Sequence, residues 1–218
     1  QGIAMRLSAE IKSIDMASRN ASDAQAMIDT ADGAHQEVHN MLLRMREIAV
    51  QAANGTLSDA DRTALNEEVT ALETEITSIA DNTSFAGTNL GTSTAVKFQI
   101  GANNGDTLDH TFKDFDATTI GANVDVLSTG SAGNAVSTLD AAISLVSTRR
   151  GELGALSNRL SSTIANLDNI AVNLSSARGR IQDTDFAKET SNLAKSQIMQ
   201  QAATAMLAQA NASKQTVL

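Results

Sequence analysis

The sequence predicts a mainly α-helical protein, an elongated antiparallel helical bundle or coiled-coil-like rod, with a small β-hairpin insert at one tip. Apolar residues recur in steps of three and four over long segments, the pattern of helices with one buried face. The 218 residues include no proline, so the strongest helix breaker is absent. Aromatic residues make up only 2%, and a core of small aliphatic side chains suits thin, closely packed helices.

Residues 1–90 form the predicted N-terminal helical arm of the rod. Its first helix covers residues 2–53 and ends at Asn54 and Gly55, because glycine often follows a helix end. Ser58 is the predicted N-cap of a second helix, since its hydroxyl can accept a hydrogen bond from a free backbone N–H. Alternating steps of four and three, typical of a coiled coil, connect the apolar residues Leu65, Val69, Leu72, Ile76 and Ile79 of that helix.

Residues 91–134 form a predicted short, variable, β-containing insert. An alternating apolar pattern around residues 96–100 and a second candidate strand at Thr107–Phe112 flank an Asn-Asn-Gly-Asp turn, which predicts a hairpin. Val124 and Val126 indicate a further strand in the same insert.

Two more helices are predicted after the insert. Residues 135–178 form the C-terminal long helix of the rod, and Arg150 places a charge on its apolar stripe. Within residues 179–218, a fourth helix from Thr184 to about residue 213 is rich in Ala and Gln and has a weaker stripe. The first two helices and the third are expected to pack as the bundle.

Composition excludes several classes of partner. The net charge of -9 does not suit nucleic acid or an anionic membrane surface, both of which attract basic patches. The chain has no cysteine for a disulfide or a thiolate metal site. No stretch approaches the ~20 apolar residues of a membrane-spanning helix, so membrane insertion is not expected.

The search for chemistry predicts no catalytic, cofactor-binding or metal residues, and therefore no enzyme. His35 and His39 are four residues apart and could share a helix face, as metal ligands do. In a zinc-protease helix the glutamate directly follows the first histidine, whereas here Gln36 lies before Glu37. We therefore expect an ordinary solvated helix face.

A second helix surface has two open interpretations. This surface carries both charged and apolar residues: Met41, Leu43, Arg44, Arg46, Glu47 and Ile48. A few exposed apolar residues on a helix are normal. A protein that assembles must also present apolar surface outside its core, so the same residues suit an intersubunit contact patch.

Three separated segments resemble bacterial flagellin. The first reads ASRNASD at residues 17–23 and RMREIAVQAAN at residues 44–54. The second contains NTSF at residues 82–85 and FQIGANNGDT at residues 98–107. The third contains LSSARGRIQDTDFA at residues 174–187, followed by QIMQQA and LAQAN. The family pattern has Asn where this chain has Ala86, and commonly Pro where it has Lys214.

The resemblance implies a structural subunit of the flagellar filament that polymerises into a helical propeller for swimming. It implies a secreted, extracellular protein of the bacterial flagellum, delivered by type III export. The implied partners are further copies of the chain, a flagellar export chaperone and a cap protein. Two alternatives stay open: a hook–filament junction protein, and a cell-surface flagellin homologue acting as an adhesin or polysaccharide receptor.

The resemblance also assigns roles to individual residues. Against the family pattern, the chain is expected to lack an N-terminal segment and the last few C-terminal residues. Residues 179–218 would then be an inner-tube helix without its N-terminal partner, with assembly residues Phe186, Leu193, Ile198, Met206 and Leu207. A Toll-like innate immune receptor is expected to recognise the monomer through Arg44, Ile48 and Glu68.

Overall fold

The computed structural model describes residues 2–215, apart from the side chains of residues 183–186 and 211–215. Three long helices and two small antiparallel hairpins form this part of the chain. Their order is α1 (Gly2–Ala52), α2 (Asp59–Asn82), β1 (Ser84–Phe85), β2 (Thr88–Asn89), β3 (Thr94–Gln99), β4 (Thr107–Phe112) and α3 (Thr129–Gln215). The predicted class, mainly helical with a small β-hairpin, is confirmed.

Local signals fix the ends of the first two helices. α1 ends at Ala52, one residue before its predicted end. Ser58 caps α2 as predicted: its Oγ accepts a hydrogen bond from the backbone N–H of Asp61 at 3.2 Å. The Asp61 carboxylate accepts in return from the backbone N–H of Ser58 at 3.0 Å. These two hydrogen bonds satisfy two backbone N–H groups that would otherwise lack a partner at the start of the helix.

The C-terminal helix differs from the prediction of two helices. α3 continues without a break through Gly179, and it begins at Thr129 instead of residue 135. A glycine inside a helix costs about 1 kcal/mol, but only a proline would remove a backbone hydrogen bond, and the chain has none. The early start is explained by Ser128, whose Oγ accepts a hydrogen bond from the backbone N–H of Ser131 at 3.0 Å.

The chain forms two compact units. The central unit is Asp15–Asp168, and the terminal unit combines Gln1–Ile14 with Asn169–Leu218. The predicted division into residues 1–90, 91–134, 135–178 and 179–218 stays a prediction.

The central unit contains two hydrophobic cores. The first core lies among α1, α2, α3 and the segment between β4 and α3, and its large buried members are Val38, Leu42, Met45, Ile48, Val69, Ile76, Phe115, Ile120, Val126, Leu139 and Val146. The second core lies among α1, α3 and the hairpins, with Met27, Ile28, Leu90, Leu108, Phe112, Leu153 and Leu160 as large buried members.

The β3–β4 hairpin packs against the sides of two helices. Its strands pair from Thr94↔Phe112 to Gln99↔Thr107. Leu108 and Phe112 enter the second core, and Asn20 of α1 donates a hydrogen bond to the carbonyl of Gln99 at 3.1 Å. The apolar face of the hairpin is thus covered by a helix surface, which an isolated two-stranded hairpin needs for stability.

The strand predicted at Val124 and Val126 is absent, since the structure shows no strand in that segment. The backbone N–H of Val124 donates to the Glu73 carboxylate at 2.7 Å, and that of Val126 donates to Asn66 Oδ1 at 3.0 Å. Side chains of α2 therefore take the place of a strand partner, which satisfies the buried backbone without a sheet.

Ala86 occupies a strained position in the two-residue turn between β1 and β2. Its φ is +48°, and that of Gly87 is +83°. A two-residue hairpin turn with both φ values positive favours Asn-Gly, because a non-glycine residue with a Cβ and no local side-chain hydrogen bond tolerates this region poorly. We therefore expect Ala86→Asn to raise the free energy of unfolding by about 0.5–1 kcal/mol. Urea unfolding followed by circular dichroism measures this free energy. An unchanged or lower unfolding midpoint would contradict backbone strain at Ala86.

Candidate assembly surface

The C-terminal half of the terminal unit presents an uninterrupted exposed helix. Every side chain from residue 187 to residue 210 is exposed to solvent. This exposed segment includes large apolar side chains: Leu193, Ile198, Met199, Met206 and Leu207, each 59–71% exposed. Large apolar side chains are normally covered in a folded protein, so several of them exposed along one helix indicate an interaction site.

The structure therefore exposes four of the five predicted assembly residues. Phe186, the fifth, lies outside the described side chains. Ile3 and Met5 at the other end of the chain are also 63% and 70% exposed. Within the terminal unit, Arg178 donates a hydrogen bond to the Ser8 hydroxyl at 3.4 Å. The predicted assembly residues did not include Met199, because the amphipathic pattern of this region is too weak to single it out.

The structure brings two predicted receptor-contact residues together on the central unit. Arg44 on α1 forms an ion pair with Glu68 on α2, with 2.8 Å between Nη2 and Oε1. Glu47 accepts a second hydrogen bond from Arg44 at 3.2 Å. The Glu68 and Glu47 hydrogen bonds raise the pKa of the Arg44 guanidinium, whose side chain is half exposed. The pair is thus a charged feature at the surface.

Ile48 lies in the interior, which corrects its predicted role as a direct contact. Its side chain is 1% exposed and belongs to the first core. The reason is its place on α1: it follows Met45 by three residues and precedes Ala52 by four, and both of these residues are buried.

Leu43 and Val50, near Ile48 on α1, are exposed instead, at 41% and 51%. They are seven residues apart, which places them on the same face of the helix. An ion pair between Arg46 and Asp140 of α3 also involves this part of α1. We call Leu43, Arg44, Val50 and Glu68 the central patch. The sequence could have indicated that Val50 is exposed, because it lies outside the buried apolar stripe of α1.

A polar layer crosses the central unit between its two cores. We define it as Asp32, His35, Lys113, Asp114, Arg149, Arg150 and Glu152. Arg150 donates two hydrogen bonds to the Asp32 carboxylate, at 2.9 and 3.2 Å. Arg150 is thus partnered, although it interrupts the apolar stripe of α3. Arg149 donates to the backbone carbonyl of Asp114, and burial lowers the Arg149 pKa.

His35 corrects the expectation of a solvated histidine face. It is 4% exposed, and its ring centroid lies 4.4 Å from that of Phe115. His39 is half-buried. The described residues contain no group of three or more His, Cys, Asp or Glu side chains placed to hold a metal ion. None of the described helices is long and apolar enough to span a membrane.

Family models match the two helical parts of the chain. The bacterial flagellin N-terminal helical region matches residues 1–93, and the bacterial flagellin C-terminal helical region matches residues 136–218. A flagellin of Halalkalibacterium halodurans is 42% identical over 99% of this chain and 81% of the relative. Flagellin D of Vibrio anguillarum is 33% identical over 99% of this chain and 86% of the relative.

Solved structures agree with this assignment. The crystal structure of Bacillus cereus flagellin matches with a TM-score of 0.62 and 32% identity, covering 73% of this chain and 94% of that one. A putative flagellar hook-associated protein from Vibrio parahaemolyticus shares the fold, with a TM-score of 0.69 and 18% identity over 81% of this chain and 95% of that one. The chain belongs to the bacterial flagellin family, whose members are structural proteins that self-assemble into the flagellar filament.

Proposed function

We propose that this flagellin polymerises through its terminal unit, with the exposed segment covered by neighbouring copies in the filament. The observation that carries the proposal is the run of exposed helical side chains at residues 187–210. Burying each large apolar side chain there contributes about 1.5–3 kcal/mol, so the five in the segment supply a strong driving force. A head-to-tail contact that does not close into a ring produces an open helical filament.

The exposed segment also supports the proposed route to the flagellum. Apolar surface of this extent promotes unwanted association until its proper partner covers it. An export chaperone that binds the segment before type III export would prevent this association. A cap protein would then direct each subunit to the filament end outside the cell. The filament would act as a propeller for swimming.

Sedimentation tests the polymerisation proposal. We expect the subunit, expressed from its full gene, to pellet as polymers that appear as filaments by electron microscopy. Limited proteolysis of monomer and polymer should show cleavage within residues 187–210 only in the monomer. Equal cleavage of this segment in both states would contradict the proposal.

The central patch supports a second role, recognition of the monomer by a Toll-like innate immune receptor. Arg44 and Glu68 are held together by their ion pair while both remain accessible. Leu43 and Val50 supply adjacent apolar area in place of the buried Ile48. Arginine combined with apolar surface is common at the centre of protein interfaces.

Receptor binding by surface plasmon resonance tests this role. We expect Arg44→Ala and Glu68→Ala each to weaken binding about fivefold or more, equivalent to about 1 kcal/mol. Arg19→Ala is the matched control, because it removes an exposed arginine of the same helix far from the central patch. Equal losses for Arg44→Ala and Arg19→Ala, or no binding by the parent protein, would reject this role.

The two alternative functions predict different phenotypes. A hook–filament junction protein would be confined to a short zone, so its loss would leave a flagellin of another gene unattached. An adhesin or polysaccharide receptor would bind glycan in the monomeric state. The sequence has no Trp or Tyr for stacking on sugar rings, which favours the filament role.

A further inference from the structure

The polar layer divides the two cores on three separate elements. Along α1, Ala31 belongs to the second core and Val38 to the first. Along α3, the change occurs between Val146 and Leu153. After β4, it occurs between Phe112 and Phe115. On all three elements, members of the polar layer therefore lie where the chain passes from one core to the other.

His35 is the member of the layer with least access to solvent. Its Nδ1 is buried and accepts or donates no hydrogen bond among the described residues. The ring lines a small cavity of about 10 Å³ together with His110, Phe112, Lys113, Arg149, Glu152 and Leu153. A buried polar atom without a partner lowers stability already, and a charge at the same place lowers it further.

The charges around His35 do not compensate for an added proton. Asp32, on the same helix, is already engaged by Arg150. From α3, Arg149 and Arg150 face the ring as cations, and Glu152 is the carboxylate. The hairpin side contributes Lys113, Asp114 and His110. The repulsion of a protonated His35 by Arg149 therefore outweighs its attraction to Asp32, and Arg150 adds to that repulsion.

We propose that the polar layer is an acid-sensitive opening point, at which protonation of His35 releases the second core and its hairpin while the first core stays closed. The second core opens first because it is smaller, with ten buried members against 19 in the first. Local opening of this kind precedes global unfolding where few apolar contacts hold an element.

The pKa of His35 supports the direction of this switch. Burial, and then the Arg149 charge, lower its pKa from 6.5 to about 4, against an opposing effect of Asp32. The pKa of His35 is lower in the closed state than in the open state. The closed state therefore has its full stability above pH ~6.5 and loses stability as the pH falls towards 4. The opening constant is expected to rise about 20-fold between pH 7 and pH 5.

Hydrogen exchange measured by mass spectrometry tests the proposal on the full chain. The lowest pH of the experiment is 5, because most carboxylates remain ionised there. After correction for intrinsic exchange rates, amides of β3 and β4 should become about 20-fold less protected from pH 7 to pH 5, and those of α2 should change less than about threefold. Equal changes in both regions, or no change in the hairpin, would overturn the proposal.

Variants assign the effect to His35. His35→Gln should abolish the pH dependence, whereas His39→Gln, the neighbouring histidine on α1, should retain it. Loss of the pH dependence in His110→Gln but not in His35→Gln would overturn the assignment. Because His35→Gln could fail to fold, the pKa of His35 should also be measured by NMR in the parent protein. A value near 4 supports the proposal, and a value of 6 or above overturns it.

Discussion

Arg62→Ala should lower the free energy of unfolding of the central unit by about 3 kcal/mol or more. Arg62 is 5% exposed and reaches from α2 to the end of α1. Its guanidinium donates to the carbonyls of Ala52 at 3.0 Å, Leu57 at 2.8 Å and Asn54 at 3.0 Å. A helix leaves its last carbonyls without partners, and a cation there also interacts favourably with the helix dipole. Truncation would remove the side-chain donor from the Ala52 and Leu57 carbonyls and leave a cavity behind.

Two further variants separate this network from charge alone. Arg62→Lys should recover only part of the loss, because one ammonium group cannot reproduce the planar fork that contacts three carbonyls. Arg46→Ala should cost about 0.5 kcal/mol or less, since its ion pair with Asp140 is exposed. Urea unfolding measures all three. A loss in Arg62→Ala no larger than in Arg46→Ala would show that the helix-end contacts are dispensable.

Leu207→Asp should abolish polymerisation while leaving the central unit as stable as before. Leu207 is 64% exposed in the subunit, so the monomer loses no core contact. In the filament, the same position would place a carboxylate in an apolar contact. A cost of about 3 kcal/mol per contact raises the critical concentration about 100-fold.

Leu207→Met is the matched control, because it conserves volume and apolar character. We expect it to polymerise as the parent protein does. Sedimentation at increasing subunit concentration, with thermal unfolding of each monomer, distinguishes assembly from stability. Normal polymerisation of Leu207→Asp would show that this face stays uncovered in the filament.

Periodicity predicted the helices well, because the information is local. The core residues Val69 and Ile76 lie on the stripe that predicted α2, and Ser58 marks its start through a hydrogen bond three residues away. The β3–β4 turn was likewise evident from consecutive residues. The continuity of α3 was not evident from the sequence. Gly179 resembles a signal for the end of a helix unless its structural context supports the helix.

The remaining differences depend on tertiary contacts. Ile48 and His35 are buried by α2, α3 and the segment around Phe115, which lie far away in sequence. In the sequence, Arg62 looks like an ordinary charged helix residue. Its role is apparent only in the fold, where the end of α1 lies beside it. Val124 and Val126 look like a strand, but their partners are side chains of α2 and not another strand. No pattern within a short window carries this information.

Deletion of the full gene from its host, with complementation, tests the central account most directly. The account predicts that deletion removes filaments seen by electron microscopy and stops swimming. The parent gene and Leu207→Met should restore both, and Leu207→Asp should restore neither despite normal levels of the subunit. Normal filaments and swimming in the deletion strain, or full rescue by Leu207→Asp, would contradict a filament subunit that assembles through its exposed terminal helix.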